Sequence, residues 1–329
     1  MLVCLGLLVM AFVAFNVLTY RQARSMIYFA TATTELTQQA KQLSLGQKLK
    51  VLFNGITLPR PETRVDISEL GPDSQSLTIP VTNGLTLGAW YCPGTNTHQL
   101  VVLFHGYSGE KARLLPEARV FLNLGDSVLL VDFRGSGDSS AAYTTIGHDE
   151  GEDAAAALRF ARDRFHPDTI VAYGLSMGAA AIFRAVHDYG AQPDGIISEA
   201  VFDKLAHTMS HRLQEMGIPA FPTAPLILFW GGWQAGFNGF KNNPVDFAPS
   251  VQAPILFFHG TDDIRALPSE ARSVYDAVPG AQKWFVEFPG VLHEAALPKH
   301  PQEWTQAVQE FLNRVQAEKK SAAPELLKP

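Results

Sequence analysis

Val171-Ala172-Tyr173-Gly174-Leu175-Ser176-Met177-Gly178-Ala179-Ala180-Ala181 is an apolar run that meets a serine between two glycines and continues in small residues. It reads as a strand, a sharp turn and a helix. Flanking glycines let strand and helix approach with no Cβ between them, and the serine then stands in a strained turn at the carboxyl edge of a sheet. Helix N–H groups lie just behind its hydroxyl, where they can stabilise a developing oxyanion. That is a nucleophile's position. The same glycines also suit plain tight packing of strand on helix, so the surroundings have to carry the reading.

Upstream, residues 100–104 and 127–133 read as buried strands, with helices over 111–124 and 150–165. Downstream, strands are expected over 195–200, 255–259 and 283–288, and helices to about 189, over 269–277 and over 302–315. Such alternation marks an α/β fold with a mostly parallel, doubly wound sheet. Ahead of it, residues 76–82 and 85–91 alternate apolar and polar side chains around Asn83-Gly84, a strong signal for an antiparallel hairpin. From about 202 to 249 the alternation lapses, and this stretch reads as a cap inserted over the sheet edge.

A serine hydroxyl is a poor nucleophile unless a base takes its proton and a third group holds that base in the right tautomer. Ile255-Leu256-Phe257-Phe258-His259-Gly260-Thr261-Asp262-Asp263 is a strand running into a loop with two adjacent aspartates. Phe285-Val286-Glu287-Phe288-Pro289-Gly290-Val291-Leu292-His293 is a strand running into a loop with a histidine. Parallel strands deliver their carboxyl ends to one edge, so these loops can converge on Ser176 although they are distant in sequence. The chain order is Ser, Asp, His.

In these motifs the chain resembles the α/β-hydrolase superfamily from about residue 76 to 315, most closely membrane-anchored members with an esterase, thioesterase or serine-aminopeptidase-like core. The resemblance implies Ser176 as nucleophile and His293 as general base, although Leu292 stands where the family often has glycine. Its H-G-x-x-D pattern implies Asp263 as the acid, with Asp262 the alternative because only one of the two can face the imidazole. His105-Gly106-Tyr107-Ser108-Gly109 follows the first parallel strand, where the superfamily supplies an oxyanion donor. By that resemblance the donors are the backbone N–H groups of Tyr107 and Met177, and His105 is a structural residue.

Asp132-Phe133-Arg134-Gly135-Ser136-Gly137-Asp138-Ser139 looks superficially like a phosphate cradle, but it lacks the G-x-G-x-x-G pattern and a Walker lysine, so it is read as structural. Glu150, Glu152 and Asp153 are expected to favour a helix start through its dipole. No metal or organic cofactor is implied. A net charge of -6 gives no basic footprint, so no nucleic acid partner is expected.

Residues 2–20 carry no charged side chain and are long enough to cross most of a bilayer's apolar core. They read as a single membrane-spanning anchor, a cleaved signal peptide being the main rival. Arg21, Arg24, Lys41, Lys48 and Lys50 follow, which places the large C-terminal part on the cytoplasmic side. The expected organisation is an anchor over 1–20, a juxtamembrane linker over 21–75, a hydrolase-type domain over 76–318 with the cap at about 202–249, and a solvated tail over 319–329.

Residues 221–240 of the cap are aromatic, aliphatic and glycine-rich, with no charge. An apolar cap over a serine nucleophile suits a lipid-like or other small apolar acyl substrate, with Phe229, Trp230, Trp233 and Phe237 as candidate contacts; packing on the sheet is the other use for these residues. The expected reaction is hydrolysis of an acyl ester or thioester through an acyl-enzyme. A serine peptidase of aminopeptidase type, or a non-catalytic lipid- or partner-binding protein on this fold, are the alternatives.

Overall fold

Asn83 and Gly84 take left-handed backbone conformations, φ 57° and 74°, which match the twist of a tight hairpin. They join β1 (Gln75–Pro80) to β2 (Thr86–Cys92) as an antiparallel pair. The computed structural model describes residues 2–30, 46, 55, 58–280 and 282–322. Within them the sheet continues with β3 (Asn96–Phe104), β4 (Asp126–Val131), β5 (Thr169–Leu175), β6 (Gly195–Glu199), β7 (Ile255–Gly260) and β8 (Lys283–Phe288). The spatial order is β1-β2-β4-β3-β5-β6-β7-β8. β2 is antiparallel to both of its neighbours and every other pairing is parallel.

The helices are α1 (Leu2–Ile27), α2 (Leu115–Asn123), α3 (Glu150–Phe165), α4 (Met177–Tyr189), α5 (Leu205–Glu215), α6 (Ala220–Ala235), α7 (Pro268–Ala277) and α8 (Pro301–Ala322). Central strands such as β4 and β7 are buried along their whole length, as expected where both faces are covered. One face packs against α3, α4 and α7 through a core that includes Ala154, Ala179, Phe183 and Val274. The other packs against α2 and α8 through Phe121, Trp304 and Phe311. Parallel strands covered on both sides aim their carboxyl ends at one edge, and that edge carries the loops of interest.

Several element boundaries differ from the sequence expectation: β3 starts at Asn96 rather than at residue 100, β4 ends at Val131 rather than at 133, and α1 runs past residue 20 to Ile27. The helix expected over 111–124 opens as a 3-10 turn at Lys111–Leu114, capped by the Glu110 side chain, and becomes α-helical at Leu115, with Pro116 in the first α turn; Lys111 is held by a buried ion pair with Asp132 and a second contact with Asp138, each 2.6 Å. The last helix does not end near residue 315 but continues to Ala322, through residues of good helix propensity and a Lys319–Asp194 contact of 2.5 Å. Residues 323–329 of the expected tail, and Lys41, Lys48 and Lys50 of the linker, lie outside the described residues.

Glu117 on α2 is buried against this second core, and its Oε2 has no hydrogen-bond partner among the described residues. Burial, and next the nearby charge of Glu199, push its carboxyl up to about 8 from 4.5. Between those values the folded chain keeps a proton that the unfolded chain has lost, so stability falls as pH rises through that window. Glu117→Gln removes the slope. Thermal unfolding should therefore show the variant above wild type by several degrees at about pH 9, with a smaller difference at about pH 5.

Candidate active site

Ser176 sits between β5 and α4 with φ 53° and ψ −108°, a strained region for a residue with a side chain. The glycines on either side make this turn possible. A Cβ on Gly174 would lie 2.5 Å from the Ala179 nitrogen, and one on Gly178 would lie 2.2 Å from the Phe104 carbonyl oxygen. Neither contact can be relieved by rotating a side chain, so both positions exclude alanine. The Ser176 N–H donates to the Glu199 carbonyl at 2.8 Å, pinning the turn to the end of β6.

The loops after β7 and β8 meet the serine at the same edge. Ser176 Oγ lies 2.8 Å from His293 Nε2, and His293 Nδ1 lies 2.7 Å from Asp263 Oδ2. A carboxylate at Nδ1 requires the proton there, which leaves Nε2 as the acceptor for the serine hydroxyl. Burial works against the charge on Asp263. The His293 hydrogen bond and charge, with the N–H groups of Ala266 and Arg265, outweigh it and hold the carboxyl below its ordinary value. Asp262 is exposed and accepts from the Thr261 hydroxyl, so of the two aspartates only Asp263 meets the imidazole.

The turn after β3 lies directly beside the nucleophile, since a Cβ added to Gly106 would be 3.7 Å from that of Ser176. Tyr107 follows in this turn, which the Gly109 N–H closes on the Gly106 carbonyl at 3.1 Å. Met177 is the first residue of α4, so its N–H has no partner within the helix. His105 is buried, with Nδ1 on the Gly106 carbonyl at 2.8 Å and Nε2 accepting from the Phe133 N–H at 3.1 Å. Both ring nitrogens are thus committed to the backbone, and burial lowers the imidazole's affinity for a proton. The Tyr107 hydroxyl donates at 2.7 Å to the Met26 carbonyl at the foot of α1.

Glu199 is a residue the sequence reading passed over. It ends β6, fully buried, and its carboxylate accepts from Tyr173 Oη at 2.6 Å, the Ala296 N–H at 2.6 Å and Trp304 Nε1 at 3.2 Å. It therefore ties the histidine loop and α8 to the strand next to the elbow. A carboxylate closing the otherwise apolar run Gly195-Ile196-Ile197-Ser198-Glu199 was the available signal. The 132–139 loop pairs its charges with neighbouring segments of the chain, Asp132 and Asp138 with Lys111. Arg134 is buried and paired with Asp149, Glu152 and Asp153 at 2.8–3.1 Å. Glu150 accepts from both Thr144 and Thr145. These acids do more than favour a helix start, because α3 brings them onto a guanidinium and hydroxyls that no local pattern announces.

The cap is built from α5, α6 and a single turn at Pro244–Phe247. Phe229, Trp230 and Trp233 form one aromatic cluster with centroids 5.0 and 6.0 Å apart, joined by Tyr20 of α1 at 5.6 Å from Trp230. Phe237 stands elsewhere, stacked on His148 at 4.3 Å. It also lines a cavity of about 30 Å³ shared by α1 and the cap. Arg212 of α5 lies over the Tyr107 ring at 4.9 Å, so the cap reaches the loop beside the nucleophile.

Residues 95–226 match the family described as serine aminopeptidase, S33. The uncharacterized protein YqkD of Bacillus subtilis is 25% identical over 248 residues, covering 74% of this chain and 80% of its own. An uncharacterized membrane protein of Saccharomyces cerevisiae, YNL320W, is 24% identical over 66% of this chain and 74% of its own. Among solved structures, the Pyrococcus furiosus esterase Pf2001 superposes with a TM-score of 0.65 at 21% identity, over 78% of this chain and 96% of that one. With a sheet in the order β1-β2-β4-β3-β5-β6-β7-β8, a serine elbow after β5 and loops after β7 and β8 at the same edge, the chain has the α/β-hydrolase fold.

Proposed function

We propose that the protein is a membrane-anchored serine hydrolase that cleaves the ester or thioester of an apolar acyl group. The observation that carries this reading is the unbroken chain of hydrogen bonds from Ser176 through His293 to Asp263. In the reaction Ser176 Oγ attacks the acyl carbonyl carbon while His293 Nε2 takes its proton. The oxyanion is received by the N–H groups of Tyr107 and Met177, donors that need no reorganisation as charge develops. His293 then protonates the leaving oxygen or sulfur. A water deprotonated by His293 attacks the acyl-enzyme, and the proton returns to Ser176. Asp263 stays charged throughout and stabilises the imidazolium, a role its depressed pKa suits.

The solved structure of similar fold supports an esterase reading, and the matched family supports an aminopeptidase. Esters are favoured by the cap, whose charged residues frame an uncharged centre that offers nothing to a substrate ammonium. α1 supplies the anchor, and Arg21 and Arg24 just beyond the apolar stretch favour a cytoplasmic domain. The full chain in nanodiscs should hydrolyse p-nitrophenyl acyl esters, with kcat/KM rising ~3- to 4-fold per added methylene while the chain is being buried. Aminoacyl p-nitroanilides should be turned over far more slowly. Preference for the anilides would transfer the reading to a peptidase.

A further inference from the structure

We propose that the outer face of α6 is a membrane-docking surface, so that the cap lies in the headgroup and upper acyl layer of the bilayer that α1 crosses. The proposal rests on the anchor reading of α1.

Two independent observations lead to it. The first is the composition of α6, which is uncharged and apolar but for Thr223 and Gln234. Ala224, Ile227, Leu228, Gly231 and Gly232 are buried against the rest of the protein. Pro222, Leu226, Phe229 and Trp233 recur at three- and four-residue spacing on the opposite side, with Phe229 52% and Trp233 66% exposed. Phe221, at the start of the same helix, is 83% exposed. A helix with so little polar surface belongs in a core or in lipid, and the side of this one that carries Phe229 and Trp233 is exposed among the described residues.

The second is the position on α1 at which charge begins. Residues 2–14 of α1 are exposed throughout and project free of the domain. Residues 15–20 continue the uncharged stretch up to Arg21, its first charged side chain, so the polar boundary of a span made by α1 falls at their level. Those are the residues on which α6 packs. Trp230 Nε1 donates to Asn16 Oδ1 at 3.3 Å, Gln234 donates to the Tyr20 carbonyl at 3.1 Å, and Tyr20 contacts the rings of Trp230 and Trp233. If α1 spans the hydrocarbon, α6 is carried to its boundary, with Tyr20, Trp230 and Trp233 at the level where amphipathic aromatic rings collect.

The occupant is therefore lipid, continuous with the lipid around α1. One consequence concerns the active site. The Met26 carbonyl that holds Tyr107 lies six residues beyond Tyr20, about 9 Å further along the helix axis. The oxyanion loop thus hangs just beneath the bilayer surface, where acyl groups of membrane lipids are within short reach.

The test uses the full chain in phospholipid nanodiscs, with Cys4 and Cys92 replaced by serine and one environment-sensitive fluorophore at Trp233→Cys, Met10→Cys or Ala317→Cys. Met10 lies on the free part of α1, and Ala317 on the part of α8 whose neighbour Lys319 pairs with Asp194 at the opposite sheet edge. Nitroxide-labelled lipids and aqueous iodide serve as the quenchers. The expected result is lipid quenching at positions 233 and 10, shallower at 233, and iodide quenching alone at 317. Lipid quenching at 10 with iodide quenching at 233 would overturn the docking surface and leave the anchor standing. Iodide quenching at both would overturn the anchor and the docking surface together. A label at 233 shielded from both quenchers would assign the face to a second copy of the chain and overturn the lipid assignment.

Discussion

Ser176→Ala is expected to lower ester turnover by on the order of 10⁴- to 10⁶-fold and to abolish covalent labelling by a fluorophosphonate probe. The hydroxyl is the only group at the elbow positioned to attack, and His293 Nε2 is already 2.8 Å from it with a lone pair toward it. In the proposed mechanism, removing Oγ leaves the two backbone donors and the imidazole in place but no atom to form the acyl-enzyme. The backbone at residue 176 keeps its strained conformation in the variant, since alanine and serine differ only beyond Cβ, so the fold should be retained. Circular dichroism and thermal unfolding check that point. Labelling of the variant at the wild-type rate would place the reactive residue elsewhere, and labelling of neither protein would favour a binding role for the fold.

The second large effect separates two adjacent side chains. Asp263→Asn should cost on the order of 10⁴-fold in kcat, because an amide at this position no longer enforces the Nδ1–H tautomer or balances the imidazolium. Asp262→Asn should stay within about twofold, since that carboxylate faces solvent and meets only the Thr261 hydroxyl. The pH profile adds a readout. With its pKa held below the ordinary carboxyl value, Asp263 stays charged over the working range and contributes no acid limb to the wild-type profile there. Equal losses in the two variants would remove the assignment of Asp263 as the group that orients His293.

Much of the site was legible because its geometry is dictated locally or by the direction of the chain. Gly174 and Gly178 flank a turn in which any Cβ meets backbone, so the residue types themselves announce the turn. Asp263 and His293 could be nominated because parallel strands deliver their following loops to one edge whatever their separation in sequence. Asn83-Gly84 encodes its hairpin within the two residues that must take positive φ. In each case the signal is carried by short-range sterics or by strand polarity.

What folding alone decided is which distant groups share a low-dielectric space. Between Asp262 and Asp263, both compatible with the loop's sequence, the choice fell to the packing that buries one against His293 and leaves the other in water. Glu199 became the brace of the histidine loop only when Tyr173, Ala296 and Trp304, 26, 97 and 105 residues away, arrived around it. Residues 2–20 and 221–240 each declare themselves apolar, but that α1 rests on α6 and is tied to the loop after β3 through Met26 and Tyr107 is visible in neither. Local sterics and strand direction are written along the chain. The pairing of buried polar groups across it depends on the assembled core, whose contacts leave no local pattern in the residues that make them.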